Sequence, residues 1–252
     1  MKIVVIGGTG LIGSQLCKNL QALGHEALAA SPSTGVNVIS GEGLKEALQG
    51  ADVVVDVANS PSFEDHAALH FFETAGHNLF AAEKIDGVKH HVALSVVGTE
   101  RMLESGYFRA KMAQEKLIKK SGIPYTILRA TQFFEFIGAI AYSGREDGDT
   151  IHLTSAALQP IASLDVAAAL TDIALQAPGN QTVEVAGPEC KPLVKFVTQY
   201  LQHIKDPRQT VSDDTVPYFG APINDQSLTP GDNPIVGPTR FDDWLKSPAH
   251  ES

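Results

Sequence analysis

At 252 residues, 43% of them hydrophobic and 19% charged, the chain can bury one sizeable core, alone or with a smaller lobe, and its composition is that of a folded domain rather than a disordered segment. Nineteen basic residues against 29 acidic ones leave a formal net charge of −10, which repels polyanions and argues against a nucleic-acid partner. The nearest basic grouping, Lys116, Lys119 and Lys120, reads as a solvated helix face.

In chain order, KIVVI (2–6) is a short apolar run ending in glycine, as expected of a strand buried on both faces. Leu11, Ile12, Leu16, Leu20 and Leu23 then fall near helical spacing, with Gly24 as a stop. EALAA (26–30) reads as a second strand, GLKEALQG (43–50) as a short helix and ADVVVDVA (51–58) as a strand. Residues 64–86 form a long helical pattern, followed by the strand HHVALSVVG (90–98), a helix over 107–122 closed by Gly122, and the strand PYTILRA (124–130). This alternation predicts an α/β fold, a Rossmann-type doubly wound parallel sheet. After residue 131 the rhythm changes. FFEFIGAIAY is helical in pattern, GDTIHL strand-like, SLDVAAALTDIALQ a helix with Ser163 or Asp165 near its start, TVEVAG a strand and CKPLVKFVTQYLQHI a helix. The stretch from Asp206 is rich in Pro, Gly and Asp, with one short helix around RFDDWLK, which Phe241 and Trp244 are expected to pin to a second lobe. The terminal PAHES is expected to fray. The predicted organisation is a core of residues 1–131, with 160–186 returning to its sheet, and a smaller C-terminal substrate lobe of 132–159 and 187–252.

Gly7, Gly10 and Gly13 join the first strand to the first helix in a G-x-x-G-x-x-G pattern. A dinucleotide pyrophosphate needs a tight turn, bare backbone at close range and amide donors at a helix N-terminus, which is what glycines at this junction provide. The triphosphate alternative wants Gly-Lys-Ser/Thr, and here Ser14 follows Gly13 directly. With the intervening Thr9, Leu11 and Ile12, these residues form the candidate cofactor site. The end of the second strand chooses between NAD and NADP, because a carboxylate there bonds the ribose 2′-OH and repels a 2′-phosphate. AASPSTG (29–35) has neither acid nor base, so Ser31, Ser33 and Thr34 tilt the expectation to NADP, with NAD still open.

Tyr107 and Lys111 stand four apart on a predicted helix and so share a face, and Ser95 ends the preceding strand. A carbonyl reductase needs a proton donor at oxygen while hydride arrives at carbon. A tyrosine beside an ammonium can serve, with Lys111 lowering its pKa and holding the nicotinamide ribose and Ser95 bonding the substrate oxygen. His66, His70 and Glu73 fall on one helical face at a spacing that metal ligands also use, but they read as a polar outer face, and no metal is expected. Phe133, Phe134 and Phe136 are either core or the wall of an apolar pocket. Cys17 and Cys190 make neither a disulfide framework nor a zinc spacing, so a reducing, cytoplasmic setting is expected. No apolar run approaches the ~20 residues that cross a bilayer, and the apolar run 3–6 is too short for a signal peptide.

Together GGTGLIG, ALSVVG, YFRAKMAQEKLIKKSGIPYTILRATQFFEF, PIASLDVAAAL and IVGPTRFDDWL resemble the NmrA-like, atypical branch of the short-chain dehydrogenase/reductase superfamily over nearly the whole chain. The resemblance implies a Rossmann core with NAD(P) bound across the three glycines, Ser31 and the turn Val57–Ala58–Asn59, with Ala130 and Thr131 bordering the nicotinamide. It maps the superfamily's Ser, Tyr and Lys onto Ser95, Tyr107 and Lys111. For the tetrad's Asn, Asp56 is the candidate replacement, with Asn59 and Asn78 behind it. The expected activity is NAD(P)H-dependent reduction of a small carbonyl or quinone, apolar or aromatic, by a monomer or homodimer. Two other readings stand beside it: a regulator that senses the nicotinamide pool without catalysis, as some relatives do, and an epimerase or dehydratase.

Overall fold

The computed structural model describes residues 1–247, and the PAHES stretch lies outside them. In chain order the elements are β1 (Lys2–Ile6), α1 (Leu11–Ala22), β2 (Glu26–Ala30), α2 (Leu44–Leu48), β3 (Val53–Asp56), α3 (Asp65–Asp86), β4 (His90–Val96), α4 (Gly106–Lys120), β5 (Tyr125–Ala130), α5 (Ile137–Tyr142), β6 (Arg145–Asp147), β7 (Thr150–Leu153), β8 (Ala157–Leu158), α6 (Ser163–Leu175), β9 (Gln181–Ala186), β10 (Lys191–Pro192), α7 (Leu193–His203), β11 (Gln209–Ser212), β12 (Ile235–Val236) and α8 (Phe241–Leu245). A parallel seven-stranded sheet runs in the order β12-β9-β5-β4-β3-β1-β2, flanked by helices in the Rossmann manner. β1 pairs with β2 on one side and β3 on the other, so the chain leaves β1 for one edge and returns across it. Such a reversal opens a crevice at the carboxyl ends of β1 and β3, the usual ligand position of open α/β sheets.

The chain divides into two compact units, residues 1–129 with 166–183, and residues 130–165 with 184–247 of the described chain. In the first unit β1, β3 and β4 are buried along both faces, which is why they read as unbroken apolar runs. One face of β1 and β3 packs Val4, Ile6 and Val54 with Leu48 of α2 and Leu79 of α3. Along β4 the period of two turns His91, Ala93 and Ser95 to the same side. There His91 meets Glu83 of α3, Ala93 packs with Phe80 and Ile118, and Ser95 reaches Glu115 of α4. The alternation along β4 thus also aims polar groups at the two long helices.

The second unit has its own core. Phe134, Phe196, Phe241 and Trp244 cluster with ring centroids 5.0–5.8 Å apart, so the short α8 is held by its aromatic pair, as expected. Phe134 is therefore core, whereas Phe133 and Phe136 stack on each other at 5.6 Å and Phe136 stays half exposed. Beyond the predicted strands the unit holds β6, β8, β10 and β11 in two small sheets, and β12, which joins β9 in parallel. Asp165, in the first turn of α6, accepts hydrogen bonds from the backbone and the hydroxyl of Thr239, tying down the tail before α8.

Candidate functional site

The turn after β1 is built from backbone contacts that leave no room for side chains. Gly7 has φ +79°, and a Cβ on it would sit 2.9 Å from the backbone nitrogen of Ala58. A Cβ on Gly13 would lie 2.3 Å from the Gly7 carbonyl oxygen, so α1 starts pressed against the turn that precedes it. Gly8, outside the predicted triplet, is equally constrained, since its Cβ would lie 2.6 Å from Ala29 Cα. Gly10 differs. Its φ of −80° is open to any residue, and an added Cβ would meet only the Gly7 carbonyl oxygen at 3.4 Å, an ordinary contact. The fold itself does not demand glycine there, whereas a ligand lying on the turn would. Thr9, Gly10 and Leu11 are exposed at the surface of this turn and Ile12 is buried. The first-turn amides of α1 lack acceptors within the helix. Bare backbone, free amides and a helix N-terminus fit a dinucleotide pyrophosphate.

The neighbouring strands complete the rim. The carbonyl of Ala30 accepts hydrogen bonds from Gly7 and Gly8, which places Ser31 next to the turn. The hydroxyls of Ser31 and Ser33 lie 2.8 Å apart, while Thr34 is spent within its own turn on Ala29 and Ser31. On the other side, Val57 donates its amide to Ile6, and Asp56 accepts the amide of Ala58 at 3.0 Å. Asn59 is exposed, and its side-chain oxygen accepts both the Ser60 amide at 3.0 Å and the Tyr107 hydroxyl at 3.1 Å. Gly7, Ala58, Asn59 and Tyr107 are therefore successive neighbours.

α4 carries Tyr107, Lys111 and Glu115 at i, i+4 and i+8 on one face, but each turns to a separate partner. The Tyr107 ring packs beside Phe63, Phe72 and Phe108, and Phe63 is itself largely exposed. Burial pushes its hydroxyl up to about 12, with Asn59 pulling the other way. The Lys111 ammonium is buried; it donates to the Leu94 carbonyl at 2.9 Å and to the Gln114 side-chain oxygen, and sits 4.5 Å from the Phe72 ring centre. Burial pushes it down to about 8, although the carboxylates of Asp56 and Glu115 hold it up. The expected depression of the Tyr107 pKa by Lys111 is thus not what this geometry produces: burial governs the phenol, and the ammonium faces other acceptors. Ser95 is buried and donates to Glu115 at 2.7 Å. Arg129 grips the same carboxylate with two bonds of 2.8 Å. Burial pushes Glu115 up, yet the bonds from Arg129 and Ser95 win and hold it below the usual carboxylate range.

Gly7–Gly13, Ser31, Val57–Asn59, Ser95, Tyr107 and Lys111 all belong to the first unit, where Asn59 joins Tyr107 to the turn after β3 while Ser95 and Lys111 face other partners; Ala130 and Thr131 belong to the second unit, both buried. The Thr131 amide bonds to Val185, and its hydroxyl has no partner among the described residues. Asn78 is occupied elsewhere, donating to the carbonyls of Val38 and Ile39. His66, His70 and Glu73 lie on the exposed face of α3. Gln114 went unpredicted: it is buried and links Lys111 to Asp56, to which it donates at 3.0 Å. Its position three residues after Lys111, on the same helical face, was the available signal.

A family model described as NAD(P)H-binding matches residues 7–177. Among curated proteins the chain is similar to the photosystem II assembly factor Ycf39 of Cyanophora paradoxa, 27% identical over 74% of this chain and 64% of that one. It is also similar to the NAD(P)H azoreductase of Xenophilus azovorans, 29% identical over 74% of this chain and 68% of that one. Across such relatives the match spans between 46% and 68% of their own length. Among solved structures, MoeE5 in complex with UDP-glucuronic acid and NAD superposes with a TM-score of 0.72 at 17% identity, over 97% of this chain and 96% of that one. At that identity the likeness speaks for the fold.

Proposed function

The chain belongs to the NAD(P)H-binding family, in the NmrA-like branch, and from that premise we propose that it is an NAD(P)H-dependent oxidoreductase reducing a small carbonyl or quinone, with Tyr107 as proton donor. The observation that supports this reading is the run of neighbours from Gly7 through Ala58 and Asn59 to the Tyr107 hydroxyl, which links that hydroxyl to the glycine turn. Gly7, Gly10 and Gly13, with the amides of Leu11 and Ile12, would hold the pyrophosphate, and Ser31 the adenosine ribose. The neutral hydroxyl pair of Ser31 and Ser33, in place of a carboxylate, supports NADPH over NADH. When bound, the reduced nicotinamide supplies hydride.

Tyr107 holds its proton at neutral pH, with its hydroxyl pushed up to about 12, so it stands in the acid form. To protonate a substrate oxygen it releases Asn59, an exposed partner. The aromatic surroundings of Tyr107, above all the exposed Phe63 at 5.2 Å, support a neutral, planar substrate. Ser95 and Lys111 act in this reading as supports of the site, through Glu115 and through Leu94 and Gln114. Tyr107→Phe is expected to bind NADPH as wild type does and to lose roughly 10²–10⁴-fold in turnover across quinones and carbonyls. Equal turnover in a stopped-flow NADPH oxidation assay would remove Tyr107 from the chemistry.

One observation favours a second reading, nucleotide sensing without turnover: Ser95 and Lys111 are both committed to protein partners. That reading expects different affinities for the oxidised and reduced nucleotide and no NADPH consumption over the same panel. The relative named as an assembly factor is in keeping with it.

A further inference from the structure

We propose that Gln114 is a positioning residue for the nucleotide: by joining Lys111 to Asp56 it fixes the turn Val57–Ala58–Asn59 against the glycine turn. The proposal rests on the reading that this turn borders the nucleotide. Four contacts make the chain of argument. Lys111 donates to the Gln114 side-chain oxygen, and Gln114 donates from Nε2 to Asp56 Oδ2 at 3.0 Å. Asp56 Oδ1 accepts the Ala58 amide at 3.0 Å, and that amide nitrogen lies 2.9 Å from where a Gly7 Cβ would stand. Lys111, Gln114 and Asp56 are 3%, 4% and 8% exposed, so water does not stand in for any of them.

The residue type follows from the chemistry at its two ends. An ammonium can only donate and a carboxylate can only accept, so the group between them must accept from one and donate to the other. A side-chain amide does both. A carboxylate at position 114 would face the Asp56 carboxylate directly, and an apolar side chain would leave two buried charges short of a partner. Asp56 and Gln114 stand 58 positions apart in the chain, so this is a contact between the end of β3 and the middle of α4, and Gln114 itself makes no hydrogen bond to the Tyr107 hydroxyl, which donates to Asn59. Gln114 therefore acts through Asp56 and the turn.

Reversing the polarity of the link tests it. In Gln114→Glu the donor to Asp56 is lost, and NADPH affinity is expected to fall by about tenfold, the scale of a hydrogen bond to a charged group. In the double variant Gln114→Glu with Asp56→Asn, the Asn amide donates to the Glu carboxylate, which still accepts from Lys111, while its oxygen keeps the Ala58 amide. Affinity there is expected to return to within about threefold of wild type. NADPH titration by fluorescence, with a thermal melt of each variant, reads both outcomes. Wild-type affinity in Gln114→Glu, or no recovery in the double variant, overturns the proposal. If the single variant does not fold, the double variant decides: it must fold and bind. A wild-type protein that binds neither NADPH nor NADP⁺ overturns the nucleotide reading itself, a failure distinct from that of Gln114.

Discussion

The glycine turn and the inner face of α4 lie within one unit, and they are made of different material. The turn is backbone against backbone: Gly7 against Ala58, Gly8 against Ala29 and Gly13 against the Gly7 carbonyl, each at a distance that excludes a Cβ. The α4 face is side chain against side chain: Tyr107 on Asn59, Lys111 on Leu94 and Gln114, and Glu115 on Ser95 and Arg129. In the turn, local sterics leave one arrangement, so the spacing of the residues is already the geometry. On the helix, spacing decides only which side chains share a face, and the fold then supplies their partners. A Y-x-x-x-K spacing therefore says where two groups start, and burial decides where they end.

The largest effect expected is on the turn. Gly13→Ala drives a Cβ to 2.3 Å from a carbonyl oxygen and 2.6 Å from Gly8 Cα, contacts that neither backbone can relieve alone. Loss of about 1–3 kcal/mol of stability, and of nucleotide binding with it, is expected. Gly10→Ala sharpens the contrast, because its Cβ meets nothing closer than 3.4 Å. That variant is expected to melt with wild type yet lose at least about tenfold in NADPH affinity, the methyl standing where the pyrophosphate needs bare backbone. If Gly10→Ala binds NADPH as wild type does, the turn is a device of folding and not a cradle.

The same distinction decides what could be read before the structure. β1, β3 and β4 are legible because strands buried on both faces read as apolar runs, and α3 and α4 because they carry long helical patterns. β11 and β12 are not, for QTVS and IV are short, largely exposed edge segments whose strand character comes from the partner they join. Among the site residues, the glycines declare their role by lacking side chains. Ser95 and Lys111 do not, since their acceptors are Glu115, twenty residues on, and Leu94 and Gln114. Asp56 is informative in another way: it ends the apolar run Val53–Val55 with a buried carboxylate, which must be paired, and its partners sit two residues and 58 residues away. Of the three aromatics after β5, Phe134 reaches a core only because Phe241 and Trp244 arrive from the far end of the chain.

A smaller effect is expected at Ser95, and it separates support from chemistry. Ser95→Ala leaves a buried Glu115 oxygen with one donor fewer and should cost about 1–3 kcal/mol, read as a lower denaturation midpoint. The Arg129 bonds remain, so Glu115 stays ionised and the unit stays folded. Turnover per folded molecule should hold near the wild-type value. A fall in turnover comparable to that of Tyr107→Phe, at unchanged stability, would return Ser95 to the substrate oxygen.

The smallest effect changes the shape of a pH profile and not its height, and it comes from two adjacent histidines of β4 that point to opposite faces. Burial, together with the charge of His91, pushes His90 down to about 4. Burial lowers His91 too, but the charge and hydrogen bond of Glu83, with Asp56 behind them, win and raise it. For His90 the unfolded chain takes up a proton near pH 6.5 that the folded chain refuses until about 4, so stability falls as pH drops through that window. For His91 the sign reverses: its contribution is full below the ordinary histidine value and is lost as pH rises through its higher folded one. His90→Gln, which keeps a partner for Thr126, should flatten the decline in melting temperature between pH 6.5 and 4. His91→Gln should instead lose most, relative to wild type, on the acid side of neutrality. Parallel profiles in both variants would mean that neither histidine changes its proton count on folding.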